Sequence, residues 1–94
     1  MGEEAVRLRP DFFQAWFNLG IASLELSRVP RARTAFERAV ALDPRNARAQ
    51  YGLAMALERE GRLPEAAERY ERALRLDATL ADAAEALRRI RGAR

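Results

Sequence analysis

The sequence contains no cysteine and no histidine, and all 17 of its basic residues are arginine. Without cysteine, the 94-residue chain has no disulfide, no zinc–thiolate site and no thiol nucleophile. Without histidine, it lacks the commonest general base and the commonest metal ligand. It also has no glycine-rich phosphate loop and no serine partnered by a base. We therefore predict that the protein is not an enzyme and that it uses no cofactor and no metal.

Long apolar runs are also absent. Charged residues interrupt every apolar stretch well before the length of about 18 residues that suggests a membrane-spanning helix. The first ten residues, MGEEAVRLRP, contain two acids and lack the apolar segment of a secretion signal. We expect a soluble chain with no membrane partner, which is cytoplasmic by default.

The sequence repeats itself with a period of 34 residues, and such a period is typical of helical repeat proteins. Residues 13–46 and 47–80 are identical at 11 of 34 aligned positions. The identical pairs are Ala15/Ala49, Leu19/Leu53, Ala22/Ala56, Arg28/Arg62, Pro30/Pro64, Ala32/Ala66, Glu37/Glu71, Arg38/Arg72, Ala39/Ala73, Leu42/Leu76 and Asp43/Asp77. The register extends beyond both copies. We predict the end of a preceding repeat's second helix at 1–12, two units at 13–46 and 47–80, and a C-terminal capping helix at 81–94.

Each unit is predicted to form two helices. Gly61 is placed to end the first helix of its unit, because glycine adopts a left-handed conformation without a Cβ clash. Pro30 and Pro64 follow at the first turn of each second helix, where a missing N–H breaks no hydrogen bond.

The end of the second unit allows two predictions. Pro44 stops the first unit, but Ala78 stands at the matching position of the second. One helix over residues 64–91 is therefore an alternative, and a merged helix would favour domain swapping. Thr79 and Asp82 have the spacing of a capping box, which starts a new helix, and we favour a break there.

The repeat resembles the tetratricopeptide repeat, a helix–turn–helix unit of 34 residues. The family's residues stand at the family's spacing at Trp16, Leu19, Gly20, Ala32, Phe36, Ala39 and Pro44, and again at Leu53, Ala66, Tyr70 and Ala73. Departures from the pattern occur at Ser23, Gln50, Ala54, Leu57 and Ala78. The resemblance implies an all-α fold, a right-handed α-solenoid of antiparallel helix pairs whose first helices line a concave groove. It also implies a fragment of a longer bacterial protein that binds a protein or peptide partner.

The family's groove positions provide the candidate binding residues. Those we select are Gln14, Phe17, Asn18, Ile21, Arg48, Tyr51, Met55, Glu85 and Arg89. Their four apolar members are predicted to form a strip for an extended or helical protein segment, with Asn18 and Arg48 holding polar ends of the ligand. The alternative is that Phe17 and Tyr51 pack on the next repeat's helix and that Asn18 only bonds to backbone.

The family's best-known ligands, the C-terminal carboxylates of chaperones, are held by a clamp of lysine, asparagine and arginine side chains. The corresponding positions of this sequence are Phe17, Ile21, Gly52, Asp82 and Ala86. None of these side chains donates a hydrogen bond to a carboxylate. We therefore do not expect this chain to bind a chaperone tail.

The net charge of +3 makes nucleic acid a further candidate partner. However, a glutamate precedes an arginine by four residues at Glu3/Arg7, Glu58/Arg62, Glu65/Arg69, Glu68/Arg72, Glu71/Arg75 and Glu85/Arg89. Such pairs match charges along a helix. Less well matched clusters are Arg28, Arg31 and Arg33, and Arg88, Arg89, Arg91 and Arg94. We therefore rank nucleic-acid binding last among the functions considered.

The N-terminal end lacks the polar capping helix that normally closes a solenoid. Phe12, Phe13 and Trp16 would be exposed on the side that a complete preceding helix covers. This predicts a homo-oligomer formed through the uncapped N-terminal end, for example by exchange of helices. A self-assembling structural module is therefore the alternative function.

Overall fold

The computed structural model describes residues 10–92, and predictions that concern residues 1–9 or 93–94 lie outside this range. Five helices fill the described part of the chain: α1 (Pro10–Glu25), α2 (Val29–Leu42), α3 (Ala47–Arg59), α4 (Leu63–Leu76) and α5 (Ala81–Gly92). Each helix packs on the next, with the closest packing within the pairs α1–α2 and α3–α4. The predicted all-α helical-repeat fold is confirmed. None of the described helices is both long enough and apolar enough to span a membrane.

The first predicted boundary, between residues 12 and 13, falls inside α1. Residues 10–12 are continuous with the first helix of the first unit, so they are not the end of a preceding helix. Proline is accepted at the start of α1 for the same reason as at the start of α2, because the first N–H groups of a helix have no intrahelical partner.

Helix α3 ends in a Schellman motif at the turn before α4. The N–H of Arg62 donates to the carbonyl of Leu57 at 2.9 Å, and the N–H of Gly61 donates to the carbonyl of Glu58 at 2.9 Å. Gly61 has a φ of 82°, which is the left-handed conformation expected from the sequence.

The turn between α1 and α2 has the same hydrogen bonds without a glycine. Arg28 donates to the carbonyl of Ser23 at 2.7 Å, and Ser27 donates to the carbonyl of Leu24 at 2.9 Å. Ser27 therefore takes a φ of 61°, which is unfavourable for a residue with a Cβ. The repeat geometry imposes this conformation on a residue that does not favour it.

The chain breaks between α4 and α5, as predicted, but the capping box with Asp82 is wrong. The hydroxyl of Thr79 donates to the carboxylate of Asp77 at 2.5 Å, and the N–H of Thr79 donates to the same oxygen at 3.0 Å. These hydrogen bonds lower the pKa of Asp77. The carbonyl of Leu80 accepts from the N–H of Ala83 at 3.1 Å, so Leu80 takes the N-cap position of α5, which begins at Ala81.

Phe36 is the centre of the first unit's core. Its side chain is 0% exposed and lies between two glycines, one on α1 and one on α3. A Cβ added at Gly20 would lie 2.7 Å from the ring, and one added at Gly52 would lie 2.4 Å from it. The two neighbouring helices approach the ring this closely because neither carries a side chain at the contact.

The departure from the family pattern at Gln50 is satisfied by hydrogen bonds. Gln50 is 2% exposed, its amide nitrogen donates to the carbonyl of Pro44 at 2.9 Å, and its amide oxygen accepts from Arg69 at 3.0 Å. At the same position of the first unit, the ring of Trp16 lies 5.6 Å from the guanidinium of Arg38. A buried amide is tolerated here because both of its ends are paired.

Candidate peptide-binding groove

The first helices of the units, α1, α3 and α5, border two adjoining hollows, which we call together the groove. The apolar hollow has a volume of about 240 Å³ and is lined by Phe17, Ile21, Arg48, Tyr51, Gly52, Met55, Leu80 and Asp82. The polar hollow has a volume of about 440 Å³ and is lined by Leu24, Tyr51, Met55, Glu58, Arg59, Tyr70, Asp82, Glu85, Ala86 and Arg89. Because Tyr51, Met55 and Asp82 line both hollows, the two form one continuous surface.

The aromatic side chains of the groove are supported by buried rings. Phe17 meets Phe36 edge to face, with ring centroids 5.9 Å apart, and Tyr51 lies tilted on Tyr70 at 5.7 Å. In both cases the partner belongs to the second helix of the same unit, not to the next repeat as the alternative prediction had it. Phe17 and Tyr51 remain half-buried, so each packs on the core and also lines the groove.

A hydrogen-bonded triad in the polar hollow joins α3, α4 and α5. The carboxylate of Glu58 accepts from the hydroxyl of Tyr70 at 2.7 Å and from the guanidinium of Arg89 at 2.8 Å. Burial, together with the bond to Glu58, raises the pKa of Tyr70 above its usual value of 10.0. The local pairing predicted for Glu58 with Arg62, and for Glu85 with Arg89, is wrong because the tertiary partners of Glu58 and Arg89 are each other.

The triad has an apolar counterpart one unit earlier. The residues 34 positions before Glu58, Tyr70 and Arg89 are Leu24, Phe36 and Met55, all of which belong to the hydrophobic core or pack against it. The same backbone positions therefore carry apolar contacts at one end of the groove and a charged network at the other.

The nine predicted site residues divide into two groups. Seven line the groove: Phe17, Ile21, Arg48, Tyr51, Met55, Glu85 and Arg89. The remaining two, Gln14 and Asn18, are exposed on α1 and line neither hollow. The amide nitrogen of Gln14 donates to the side-chain oxygen of Asn18 at 3.0 Å, so Asn18 bonds to a side chain and not to backbone.

Eight residues that line the groove are not among the nine selected from the sequence. Six of them stand on first helices at positions that the family uses for its groove, and this was the signal that could have selected them: Leu24, Gly52, Glu58, Arg59, Asp82 and Ala86. Tyr70 lies on α4 and Leu80 lies in the turn before α5. No periodicity places these two beside the groove, because they reach it only through the packing of α4 and α5.

More of the arginines in the two clusters at residues 28–33 and 88–94 are ion-paired than the sequence predicted. Arg33 lies 2.8 Å from a carboxylate oxygen of Glu60 and 3.1 Å from one of Glu37. Arg91 is paired with Glu71. The pair of Arg33 with Glu37 lies within α2 and the other two pairs are tertiary; together they neutralise part of both clusters. Within residues 10–92, no group of three or more acidic side chains is placed to hold a metal ion.

The comparison with protein families identifies the class of protein. The sequence profile described as "Tetratricopeptide repeat" matches residues 3–41 and 22–81, which together span most of the chain. The chain belongs to the tetratricopeptide repeat family. No curated protein sequence matches it.

Solved structures of tetratricopeptide repeats have the same fold. One is the first TPR of Spaghetti (RPAP3) bound to the HSP90 peptide SRMEEVD, with a TM-score of 0.80 and 29% identity over 83% of this chain and 62% of that chain. Another is MamA 41-end from Desulfovibrio magneticus RS-1, with a TM-score of 0.80 and 27% identity over 94% of this chain and 50% of that one. The MamA RS-1 ArsTM double mutant matches equally, at 0.80 and 27% over 94% of this chain and 49% of that one. The chain therefore spans about half to three-fifths of the length of these structures.

Proposed function

We propose that this chain is a non-catalytic protein-interaction scaffold whose groove binds a peptide or a helical segment of a partner protein. The observation that carries the proposal is a strip of four half-buried side chains, Phe17, Ile21, Tyr51 and Met55, along the apolar hollow. Concave surfaces with apolar and aromatic linings and a few polar groups are the usual form of ligand sites. Grooves of this kind take amphipathic helices or extended segments.

The support beneath the strip favours binding. Phe17 and Tyr51 are held by edge and tilted contacts to buried rings, so their side chains lose little freedom when a ligand arrives. The described neighbour bound to a peptide supports the same use of the fold. The repeat architecture supports the scaffold role, and the side chains of this groove are the basis for the choice of ligand.

The ligand of this groove differs in chemistry from the peptide in that neighbour. SRMEEVD contains three acidic residues. In this chain the side chains at the family's clamp positions include the carboxylate of Asp82, which lines both hollows, and none of them donates a hydrogen bond. An acidic tail would therefore find no donors from those positions and one opposing charge.

Selection from a library of random 12-residue peptides tests the proposal. Peptides that bind the wild-type chain are expected to lose at least about tenfold in affinity for Met55→Glu, because this change places a charge in the strip without removing an aromatic support. Phe17→Ala with Tyr51→Ala should also abolish capture. The matched control is Leu63→Glu, an exposed apolar position on α4 outside the groove.

The readouts are fluorescence anisotropy for binding and circular dichroism for helicity. Equal binding by the wild type and by a fully helical Met55→Glu variant would contradict the proposal. So would a selection that enriches no peptide against the wild type. Loss of binding by Leu63→Glu would show that the peptides recognise another surface.

The second candidate is self-association through the N-terminal end. The observation that favours it is the exposure of two large apolar side chains on α1, Phe12 at 47% and Leu19 at 39%. Light scattering over a range of concentrations tests this candidate. A dimer that Leu19→Glu weakens would support it, and a monomer at every concentration would contradict it.

A further inference from the structure

The groove changes in chemistry along its length. The fifth position of the three successive first helices is occupied by Phe17, Tyr51 and Glu85. The ninth position changes in parallel, from an apolar side chain on α1 to Arg89 on α5. A ligand lying across the three helices therefore meets an apolar surface at the α1 end and a charged surface at the α5 end.

Two carboxylates at the α5 end have no hydrogen-bond or ion-pair partner in the described part of the chain. Among the charged groups of the polar hollow, Glu58 and Arg89 are paired with each other at 2.8 Å, and the guanidinium of Arg59 donates to a backbone carbonyl at the end of α1 at 3.2 Å. Within residues 10–92, Asp82 and Glu85 make no hydrogen bond and no ion pair. The polar hollow is thus lined by three carboxylates and two guanidinium groups, and the unpaired carboxylates of Asp82 and Glu85 leave it with an excess of negative charge.

Tyr51 adds an aromatic ring to these carboxylates. It lines both hollows and lies at the junction between them. Burial raises its pKa, and the nearby charges of Asp82, Glu58 and Glu85 raise it further, against the opposing effect of Arg89. An aromatic ring beside carboxylates is the arrangement that holds an ammonium or guanidinium group.

The apolar hollow disfavours such a group. Arg48, on α3, lines this hollow and would repel a basic side chain of the ligand there. Arg48 does not line the polar hollow, where Glu85 joins Tyr51 and Asp82, so the basic side chain is expected to lie in the polar hollow.

We infer that the groove binds, in one orientation, a protein segment with bulky apolar side chains at one end and a basic side chain at the other. The apolar side chains lie on Phe17 and Ile21, and the basic side chain lies between Tyr51, Asp82 and Glu85. This inference rests on the proposed function and specifies the partner of the same groove.

The test uses the random 12-residue library and the single variant Glu85→Lys. The peptides enriched on the wild type are expected to carry a net positive charge together with aromatic or branched aliphatic residues. For a synthetic peptide from this set, replacement of its basic residue by glutamate should weaken binding about tenfold. This is the effect expected when a partly exposed attraction between opposite charges is replaced by a repulsion between like charges. Glu85→Lys should reverse this preference. The matched control, Glu65→Lys on the exposed side of α4, changes the net charge equally and should not.

The possible outcomes separate the inference from the function on which it rests. Groove-dependent peptides that bind equally well in basic, neutral and acidic forms would overturn the inference and leave the scaffold function standing. Enrichment of acidic peptides would also overturn it. If no peptide binds the wild type, both proposals fail. Sedimentation of the chain alone tests whether a second copy of this chain occupies the groove. If the chain forms a dimer and Glu85→Lys dissociates it, the groove binds a second copy, and the inference of a separate partner segment is overturned.

Discussion

Substitution of Gly52 by alanine tests the close packing around Phe36. In an exposed helix, glycine to alanine stabilises by about 1 kcal/mol, because alanine has the higher helix propensity. Here the added Cβ would lie 2.4 Å from Cε1 of Phe36 and 2.6 Å from its Cδ1. Real Cβ atoms essentially never lie within 3.0 Å of another side chain, so the ring or a helix has to move. We expect the steric effect to exceed the propensity and to reverse the sign.

The magnitude follows from how little room the ring has. Phe36 is 0% exposed, Gly20 limits it on the α1 side, and the ring of Phe17 contacts it at a centroid distance of 5.9 Å. A retreat of about 1 Å therefore meets other atoms, and overpacking of this kind costs about 1–3 kcal/mol. Offset by the gain of about 1 kcal/mol in propensity, the net loss is at most about 2 kcal/mol, which corresponds to a fall in Tm of at most about 16 °C for a domain of this size.

The measurement is thermal and urea unfolding followed by circular dichroism. Gly92→Ala is the control, because a Cβ at Gly92 would meet no atom within 4 Å. Phe36→Leu combined with Gly52→Ala completes a double-mutant cycle, and we expect a coupling energy of at least about 0.5 kcal/mol because the smaller side chain makes room for the methyl group. A Gly52→Ala variant as stable as the wild type, or more stable, would refute the reasoning.

Three further predictions concern single features of the fold. Ser27→Gly should stabilise the chain by about 0.5–1 kcal/mol and Gly61→Ala should destabilise it by about 1–2 kcal/mol, because both positions require a left-handed conformation. Urea unfolding measures both changes. A loss of stability in Ser27→Gly would contradict this account. Gln50→Leu should cost about 1–3 kcal/mol in the same assay, since it leaves the partly buried carbonyl of Pro44 and the guanidinium of Arg69 without this partner. An unchanged stability would show that water replaces the amide. The pKa values of Tyr51 and Tyr70 are raised in the folded chain. Their contribution to stability is therefore complete below pH 10.0 and decreases as the pH rises above it. An absorbance titration that shows either phenol ionising at its usual pKa in the folded chain would contradict this prediction.

Much of the architecture follows from local patterns in the sequence. The 34-residue period predicts the helix pairs, and Pro30, Pro64 and Gly61 predict where helices start and end, because each acts through its own backbone. These features depend on neighbours within about one helical turn, so they are visible without the tertiary structure. Ser27 shows the limit of this reading. Nothing in its residue type predicts a left-handed turn, which follows instead from its equivalence to Gly61 in the repeat.

The chemistry of the groove was decided by tertiary structure. From the sequence, Arg62 was as reasonable a partner for Glu58 as any, because both lie on the same stretch of chain four residues apart. The structure pairs Glu58 with Tyr70 and Arg89, which lie 12 and 31 residues further along the chain. In the structure α3 ends at Arg59, so Arg62 does not lie on the helix that carries Glu58, and the packing of α4 and α5 against α3 determines which partner this carboxylate takes. The sequence by itself determined that this protein is a stack of helix pairs with a groove, and only the tertiary structure decided which charges remain free within that groove.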